Sequence, residues 1–599
     1  MPAYEVQAEG TAPHEYGDLL LSYLEQLGVE YVFGIPGGAI EPFYNALARS
    51  ERRGGPRAIT ARHETGAAFM ADGYWRNSGK LGVCCSTTGP GATNLLTGVA
   101  SAYENNIPLL VITAQTALSS FGSGSLQESS CTGVNTVELF RYCCRYSTLV
   151  SHPDQFERKL VTAITTAFAA PMGPVHLSIP IDLMRTTSAN ATPTVDLPDL
   201  LRKPSLFDSD AVGRLYSALK QAKNPLFVIG DDASEAIGLI LSLALGLNAK
   251  MVATPHGKGL ISPYHPLFRG VIGFSGHQGA QALLTDPTID SIFIIGAQFS
   301  EWASQGWKPQ EHPQRIIDIE ASESNLTKLP MAALHVRGRL ETIFESLLKR
   351  FDKHGFSQPL ILNTSDGVDA GNSKVKRDEI KQFTLNDEEK YRSDATPIKP
   401  QRLMRELPNV FPANTHYLAD AGASFSWATH YLHPHDRRLC GRRDAKGGLF
   451  RASLNFASMG WAIGSAIGTA LARRDTPVVC ITGDGSLLMS GQEITVAVAE
   501  QLPVVFVILN DSAYGMVKHG QRMTGGEAIA ANLPPTNFAA FAQAMGVEGH
   551  IIYSAEDLLR LNCLDFFKKQ GPTLLDVRID KDEVPPFDLR IKTLKDDHE

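Results

Sequence analysis

Two apolar, β-branched runs that each close on an acidic turn constrain this chain more than any other feature. Thr476–Thr482 (TPVVCIT) ends at Gly483-Asp484-Gly485-Ser486, and Leu502–Leu509 (LPVVFVIL) ends at Asn510-Asp511. Runs this poor in polar residues predict parallel strands buried on both faces. Between them, Ser490–Gln501 places Ile494, Val496, Ala497 and Val498 ahead of polar Glu500-Gln501, which predicts a short helix. A strand–helix–strand crossover returns both strand ends to one edge of the sheet. Asp484 and Asp511, 27 positions apart, therefore reach one crevice, beside glycines that let a ligand approach the backbone. Two carboxylates next to a phosphate-bearing ligand suit Mg2+. Alone, the Gly-Asp-Gly triplet would be an ordinary turn. The interval, the flanking strands and the following Tyr514-Gly515-Met516 favour the metal.

At 599 residues the chain exceeds one hydrophobic core, and about three or four domains are expected. A composition of 43% hydrophobic and 20% charged residues is that of a soluble globular protein. The net charge of −8 and the lack of a basic run argue against nucleic acid as a partner. Eight cysteines, including the adjacent pairs Cys84-Cys85 and Cys143-Cys144, show neither a disulfide framework nor CxxC metal spacing. Buried reduced thiols in a cytoplasmic protein are expected. The start MPAYEVQAEG has no apolar core and is not expected to be a secretory signal. The apolar stretch near Ile237–Leu247 falls short of a membrane span, so no membrane partner is expected.

Strand-like and helix-like segments alternate, which predicts an α/β protein of three domains, each a mostly parallel sheet flanked by helices. The first domain covers 16–190 after a tail at 1–15. Its strands include Tyr31–Gly34, Leu81–Cys85, Leu109–Ile112 and Val175–Ile179. The central domain covers 205–350, with strands at Leu226–Gly230 and Ile292–Gly296. A polar segment at 353–395, rich in Asp, Ser, Asn and Lys, reads as a partly mobile linker. The third domain covers 396–585, and 586–599 is a charged tail. No internal repeat is visible between the first and third domains.

The first domain carries three glycine-rich or small-residue turns, each ahead of a helix or after a strand. They are Gly34-Ile35-Pro36-Gly37-Gly38, His63-Glu64-Thr65-Gly66-Ala67-Ala68 and Thr88-Gly89-Pro90-Gly91-Ala92-Thr93-Asn94. One such turn is common in any α/β protein; three in one domain favour a ligand site. Glu64 would alone be a carboxylate opening a helix. The order of these turns, with Gly-Asp-Gly…Asn-Asp after them, resembles the acetolactate synthase-like thiamine diphosphate (ThDP) enzymes over nearly the whole chain. The resemblance implies a pyrimidine-binding first domain, a central domain and a diphosphate-binding third domain. It implies ThDP and Mg2+ as cofactors, with Asp484, Asp511 and the backbone of Ala513 on the metal. By position Glu64 would bond the aminopyrimidine ring and favour its imino tautomer, so that the cofactor itself takes the C2 proton. Met459 would prop the bent cofactor, although Met also suits plain core packing. Gly422-Ala423-Ser424 lies where the family grips the diphosphate. Pro36, Pro90, Asn94, Ala457, Gly483, Gly485, Ser486, Tyr514, Gly515 and Met516 would complete the cofactor contacts. Gln127 matches a glutamine near the reacting carbon.

The chain departs from the family at the acceptor. An Arg-Phe-Asp-Asp-Arg run of the amino-acid pathway synthases is here Gln298-Phe299-Ser300-Glu301-Trp302. A family lysine corresponds to Ile181, and a family tryptophan to Gly520. Neither Gln nor Trp can supply a bidentate carboxylate grip. A roomier, less cationic pocket of Gln127, Trp302, Met516, His519 and Gly520 is expected. FAD stays open as a further cofactor, with the loss of the first arginine against it. The leading expectation is a carboligase that decarboxylates a 2-keto acid, pyruvate foremost, and joins the product to a second carbonyl compound. Ordinary acetolactate synthesis, a plain 2-keto acid decarboxylase and a non-catalytic homologue are the alternatives. The resemblance also implies a homodimer or homotetramer.

Overall fold

The computed structural model describes residues 14–188, 192–304, 315–352, 381–435 and 448–587. These contain eighteen strands in three six-stranded sheets, and every strand pairing within them is parallel. The first sheet is built from β1 (Tyr31–Gly34), β2 (Arg57–Thr60), β3 (Gly82–Ser86), β4 (Leu109–Gln115), β5 (Tyr146–Leu149) and β6 (Val175–Pro180). The central sheet uses β7 (Pro225–Ile229), β8 (Lys250–Ala253), β9 (Phe268–Val271), β10 (Ser291–Ile295), β11 (Ile316–Glu320) and β12 (Leu334–Arg337). The third has β13 (His416–Ala419), β14 (Phe450–Ala452), β15 (Val478–Gly483), β16 (Val504–Asn510), β17 (Glu548–Ile552) and β18 (Thr573–Arg578). The fold is α/β throughout, as the alternation in the sequence predicts.

Strand order is more informative than strand content. The first sheet runs β2-β1-β3-β4-β6-β5 and the third β14-β13-β15-β16-β18-β17. Counted from their own first strands, these are the same order, although no repeat is visible in the sequence. In both, the chain leaves its first strand toward one side and later returns to the other. The crevice between first and third strands (β1/β3 and β13/β15) is thus a switch point, where α/β sheets bind ligands beyond the carboxyl ends of the strands. The central sheet runs β12-β11-β10-β7-β8-β9, with its switch between β7 and β10.

Burial on both faces explains the polar-free runs. In the central sheet Phe227, Ile229, Phe293 and Ile295 join one core, while Leu226, Val228, Ile292 and Ile294 join another on the opposite face. Each such side chain contributes about 1.5–3 kcal/mol on burial. The apolar helix Ile237–Leu247 packs into the first of these cores. No helix among the described residues is long and apolar enough to cross a membrane. Cys84, Cys85, Cys143, Cys144, Cys480 and Cys563 are buried free thiols, and Cys131 is an exposed one.

One sequence expectation is corrected. The helix after β15 begins at Asp484 itself, not at Ser490: Asp484–Ser490 is helical, Gly491–Glu493 is a 3-10 turn and Ile494–Ala499 a second helix. The apolar period from Ile494 hid this start, because Leu487 is the only apolar side chain of the Asp484–Ser490 helix that is buried. An acidic residue is also favoured at a helix start. In the segment 353–395, residues 353–380 lie outside the described residues, but 381–395 are packed. Phe383 lies against His277, with 4.3 Å between ring centroids, and Tyr391 stacks on Tyr431 at 6.1 Å. The chain forms two compact units divided near Arg202, the first domain in one and the central and third domains in the other.

Candidate active site

In the first unit, the three turns lie at the carboxyl ends of β1, β2 and β3. Glu64 opens the helix Glu64–Ser78 after β2 and is 7% exposed. Its Oε2 accepts a hydrogen bond from Asn94 Nδ2 at 3.0 Å. Asn94 stands on the helix Pro90–Glu104 that follows β3. A Cβ on Gly91 would come within 3.2 Å of Glu64 Oε1, so the first turn of that helix lies directly over the carboxylate. Pro36, Pro90 and Asn94 are exposed.

Gln127 is exposed, with a left-handed backbone (φ 60°). It is held beside the β3 turn by residues that sequence reasoning missed. Thr88 Oγ1 donates to the Gln127 carbonyl at 2.9 Å and lies 2.7 Å from Ser129 Oγ. Gln115, at the end of β4, receives the Ser129 amide on Oε1 (3.2 Å) and donates through Nε2 to Ser129 Oγ (3.2 Å). Three buried polar residues from separate elements thus place one exposed side chain. Small polar residues in a loop give no sequence signal for this.

In the second unit, β13 and β15 are neighbours, with Ala419 opposite Ile481. The helix Ala423–Tyr431 starts after Gly422, and the helix Asp484–Ser490 starts after Gly483. Neither has a side-chain cap, which leaves helix amides at the switch point for an anion. Asp420, also missed in the sequence, ties this edge together. Its Oδ2 accepts from the Gly460 amide and Thr482 Oγ1, both at 2.8 Å, and its Oδ1 from the Ala462 amide at 3.2 Å. Burial raises its pKa, and these hydrogen bonds pull the other way. An aspartate closing the apolar run before Gly422 was the available signal.

Asp484 is 3% exposed, and its Oδ1 accepts the Gly485 amide at 2.7 Å. Its Oδ2 is buried with no hydrogen-bond partner. Burial, then the nearby charge of Asp511, pushes its pKa up to about 7. Asp511 is raised to about 6, again by burial first, and accepts the Ala513 amide at 3.2 Å. An orphaned buried carboxylate oxygen beside a second carboxylate is a donor set short of a cation. Among the described residues no group of three or more His, Cys, Asp and Glu side chains could hold a metal by itself. Asn510 is occupied elsewhere, donating to Asp576 Oδ1 at 2.8 Å. A Cβ on Gly485 would fall 2.6 Å from the Tyr514 ring and 3.3 Å from Met459 Cε, so these two side chains converge over the Gly-Asp-Gly turn.

Of the expected acceptor residues, Trp302 and Met516 pack against the same third-domain core. Gly520 faces open space, since a Cβ there would meet nothing within 4 Å. His519 is buried, and burial followed by the Lys518 charge lowers its pKa. Lys518 donates to the Lys581 carbonyl at 3.1 Å. Trp302 packs edge-on against Phe274 at 4.6 Å, which in turn stacks on Phe425 at 6.0 Å. Trp302 is thus partly taken up in packing the central domain on the third. The first strand–helix turn of the central sheet is Gly230-Asp231-Asp232-Ala233 rather than a run of glycines. Glu320, buried at the end of β11, has an unpartnered Oε1, and burial with two nearby carboxylates raises its pKa to about 9.

Parallel sheets with uncapped helix starts and glycine-rich turns at matching switch points define a class, the α/β enzymes that hold a phosphate-bearing cofactor at strand ends. Known proteins narrow it. Residues 14–134 match the thiamine pyrophosphate enzyme N-terminal TPP binding domain, 212–347 the central domain and 420–577 the C-terminal TPP binding domain. The chain is 29% identical to a probable acetolactate synthase large subunit of Methanococcus aeolicus, over 95% of this chain and 93% of that one. It is 28% identical to the acetolactate synthase isozyme 2 large subunit of Escherichia coli K12, over 94% and 96%. The chain belongs to the acetolactate synthase-like ThDP enzymes.

Proposed function

We propose that this ThDP carboligase is Mg2+-dependent, takes pyruvate as its donor and joins the resulting two-carbon unit to an uncharged carbonyl acceptor. The observation that carries the metal is the orphaned Oδ2 of Asp484 beside Asp511. Asp484, Asp511 and the Ala513 backbone would hold the cation, and the Gly422-Ala423-Ser424 turn would meet the diphosphate. When bound, ThDP supplies a carbanion-stabilising centre at its thiazolium C2. The protein's part is to grip the diphosphate, to set the cofactor's protonation through Glu64 and to present Gln127 to the substrate.

The acceptor assignment follows from Trp302 and Gly520. Neither offers the planar pair of donors that a carboxylate needs. A carboxylate left unpaired on desolvation costs about 1–3 kcal/mol or more. The wild type should therefore show a higher kcat/KM for pyruvate plus a neutral aldehyde than for pyruvate plus pyruvate. Gly520→Trp should narrow the accepted aldehydes by filling the space beside it. A preference for pyruvate as acceptor, undisturbed by Gly520→Trp, would show ordinary acetolactate synthesis instead. That second reading is favoured by near full-length similarity to acetolactate synthase large subunits.

We also propose a cytoplasmic homodimer or larger assembly. Leu488, Met489, Val517 and Phe456, close in sequence to the third-domain cofactor residues, are 44–51% exposed and leave apolar surface for a second copy. Sedimentation at assay concentration should show no active monomer; a fully active monomer would sink this assignment.

A further inference from the structure

The helix Ala423–Tyr431 is gripped at its carboxyl end by the central domain. Lys258, on the loop after β8, is 5% exposed. Its Nζ donates to the carbonyls of Thr429 at 2.6 Å and Leu432 at 2.8 Å. His277 Nε2 lies 3.1 Å from the His430 carbonyl, and His430 Nδ1 lies 2.9 Å from the Gly276 carbonyl. Phe274 stacks on Phe425 of the same helix. The last carbonyls of a helix have no partner within it, and here side chains from another domain supply partners for them.

The Lys258 contact is unusual in its chemistry. Its hydrogen bonds go to carbonyls, and its ammonium lies 5.2 Å from the Phe450 ring centroid. Burial, then the Lys381 charge, lowers its pKa well below the ordinary lysine value. Joining two domains does not require a buried charge, since the Trp302–Phe274–Phe425 stack already does so with apolar surface. What a cation matches is the negative end of a helix. The other end of this nine-residue helix is the uncapped Gly422-Ala423 start. A helix is stiff over nine residues, so fixing one end sets the direction of the other.

We propose that Lys258 is a positioning residue for the cofactor: with His277 it holds the carboxyl end of the Ala423–Tyr431 helix so that the amides at its amino end meet the ThDP diphosphate. This rests on the Gly422-Ala423-Ser424 turn being the diphosphate contact proposed above.

The test uses the full-length protein, with calorimetric titration of ThDP in the presence of Mg2+ and amide hydrogen exchange across residues 421–432. Lys258→Met should weaken ThDP by about 10- to 30-fold, the scale of a favourable charge–helix-end contact. Exchange in the 423–428 amides should rise, while kcat at saturating cofactor stays near the wild-type value. Lys258→Arg, which keeps a cation and donors, should restore most of the affinity. A folded Lys258→Met protein with wild-type ThDP affinity and wild-type exchange overturns the proposal. If Lys258→Met does not fold, His277→Asn carries the test. Asn can keep the Val271 amide that His277 Nδ1 now accepts at 3.0 Å, but it cannot reach the His430 carbonyl. It should weaken ThDP in the same direction by less, and an unchanged affinity overturns the proposal. The wild type separates the two levels. If ThDP does not slow exchange at residues 423–425, the diphosphate contact itself is wrong. If it does, and the variants bind ThDP normally, only the role of Lys258 falls.

Discussion

Asp484→Ala is expected to fold normally and to lose ThDP. In the cofactor-free protein this carboxylate is a burden, because burial and Asp511 raise its pKa to about 7. The sign follows from linkage: a carboxyl raised above its unfolded value of 3.8 disfavours the fold as pH rises through that range. Alanine removes the unfavourable charge, so the melting temperature of the cofactor-free variant should match or exceed that of the wild type. Cofactor binding should move the opposite way. Loss of a group that merely supports a metal ligand costs about 10–100-fold in metal affinity, and loss of the ligand itself should exceed that. A thermal melt of the cofactor-free variant and a calorimetric titration of ThDP with Mg2+ measure the two effects on one preparation. Wild-type ThDP affinity in Asp484→Ala would show that the cation is held elsewhere.

Glu64→Gln is expected to bind ThDP and to lose most of its activity. The amide can still accept from Asn94 Nδ2, so the local packing under Gly91 survives. What it cannot do is carry the negative charge that favours a protonated pyrimidine nitrogen. General acid–base contributions of this kind are ~10²–10⁴-fold. Hydrogen–deuterium exchange at the thiazolium C2 of bound ThDP should slow by that order, and kcat should fall with it while ThDP affinity is largely retained. A wild-type exchange rate in Glu64→Gln would assign the proton transfer to another group. The two variants thus separate cofactor binding from proton transfer.

Glu64 and Asp484 were legible in the sequence because each stands at a strand end marked by glycine and small residues. The same rule fits Asp420, which follows β13 ahead of Ala421-Gly422, but not its partners, and it gives nothing for Gln115 and Ser129. Asp420 is satisfied by Thr482 and by the amides of Gly460 and Ala462, partners about 40–60 positions away that no local pattern points to. Thr88, Gln115 and Ser129 meet only because β3, β4 and the following loop converge. The start of the Asp484–Ser490 helix was missed for a related reason. Its three apolar residues, Leu487, Leu488 and Met489, are consecutive and show no helical period, and only Leu487 is buried, whereas the helix that was visible repeats its apolar positions from Ile494.

By itself the sequence determined the elements and the chemistry at their ends. Polar-free β-branched runs specify strands buried on both faces, and the acids and glycines that follow them specify what those strands deliver. Only the tertiary structure decided which strands are neighbours. It gave the first and third sheets one strand order without a visible sequence repeat, and it set Lys258 and His277 of the central domain on the end of a third-domain helix. The physical reason is range. Propensity, periodicity and turn chemistry act over a few residues. Strand order and the partners of buried polar groups are settled by packing between segments tens of residues apart, and more than a hundred and fifty for Lys258 and His277.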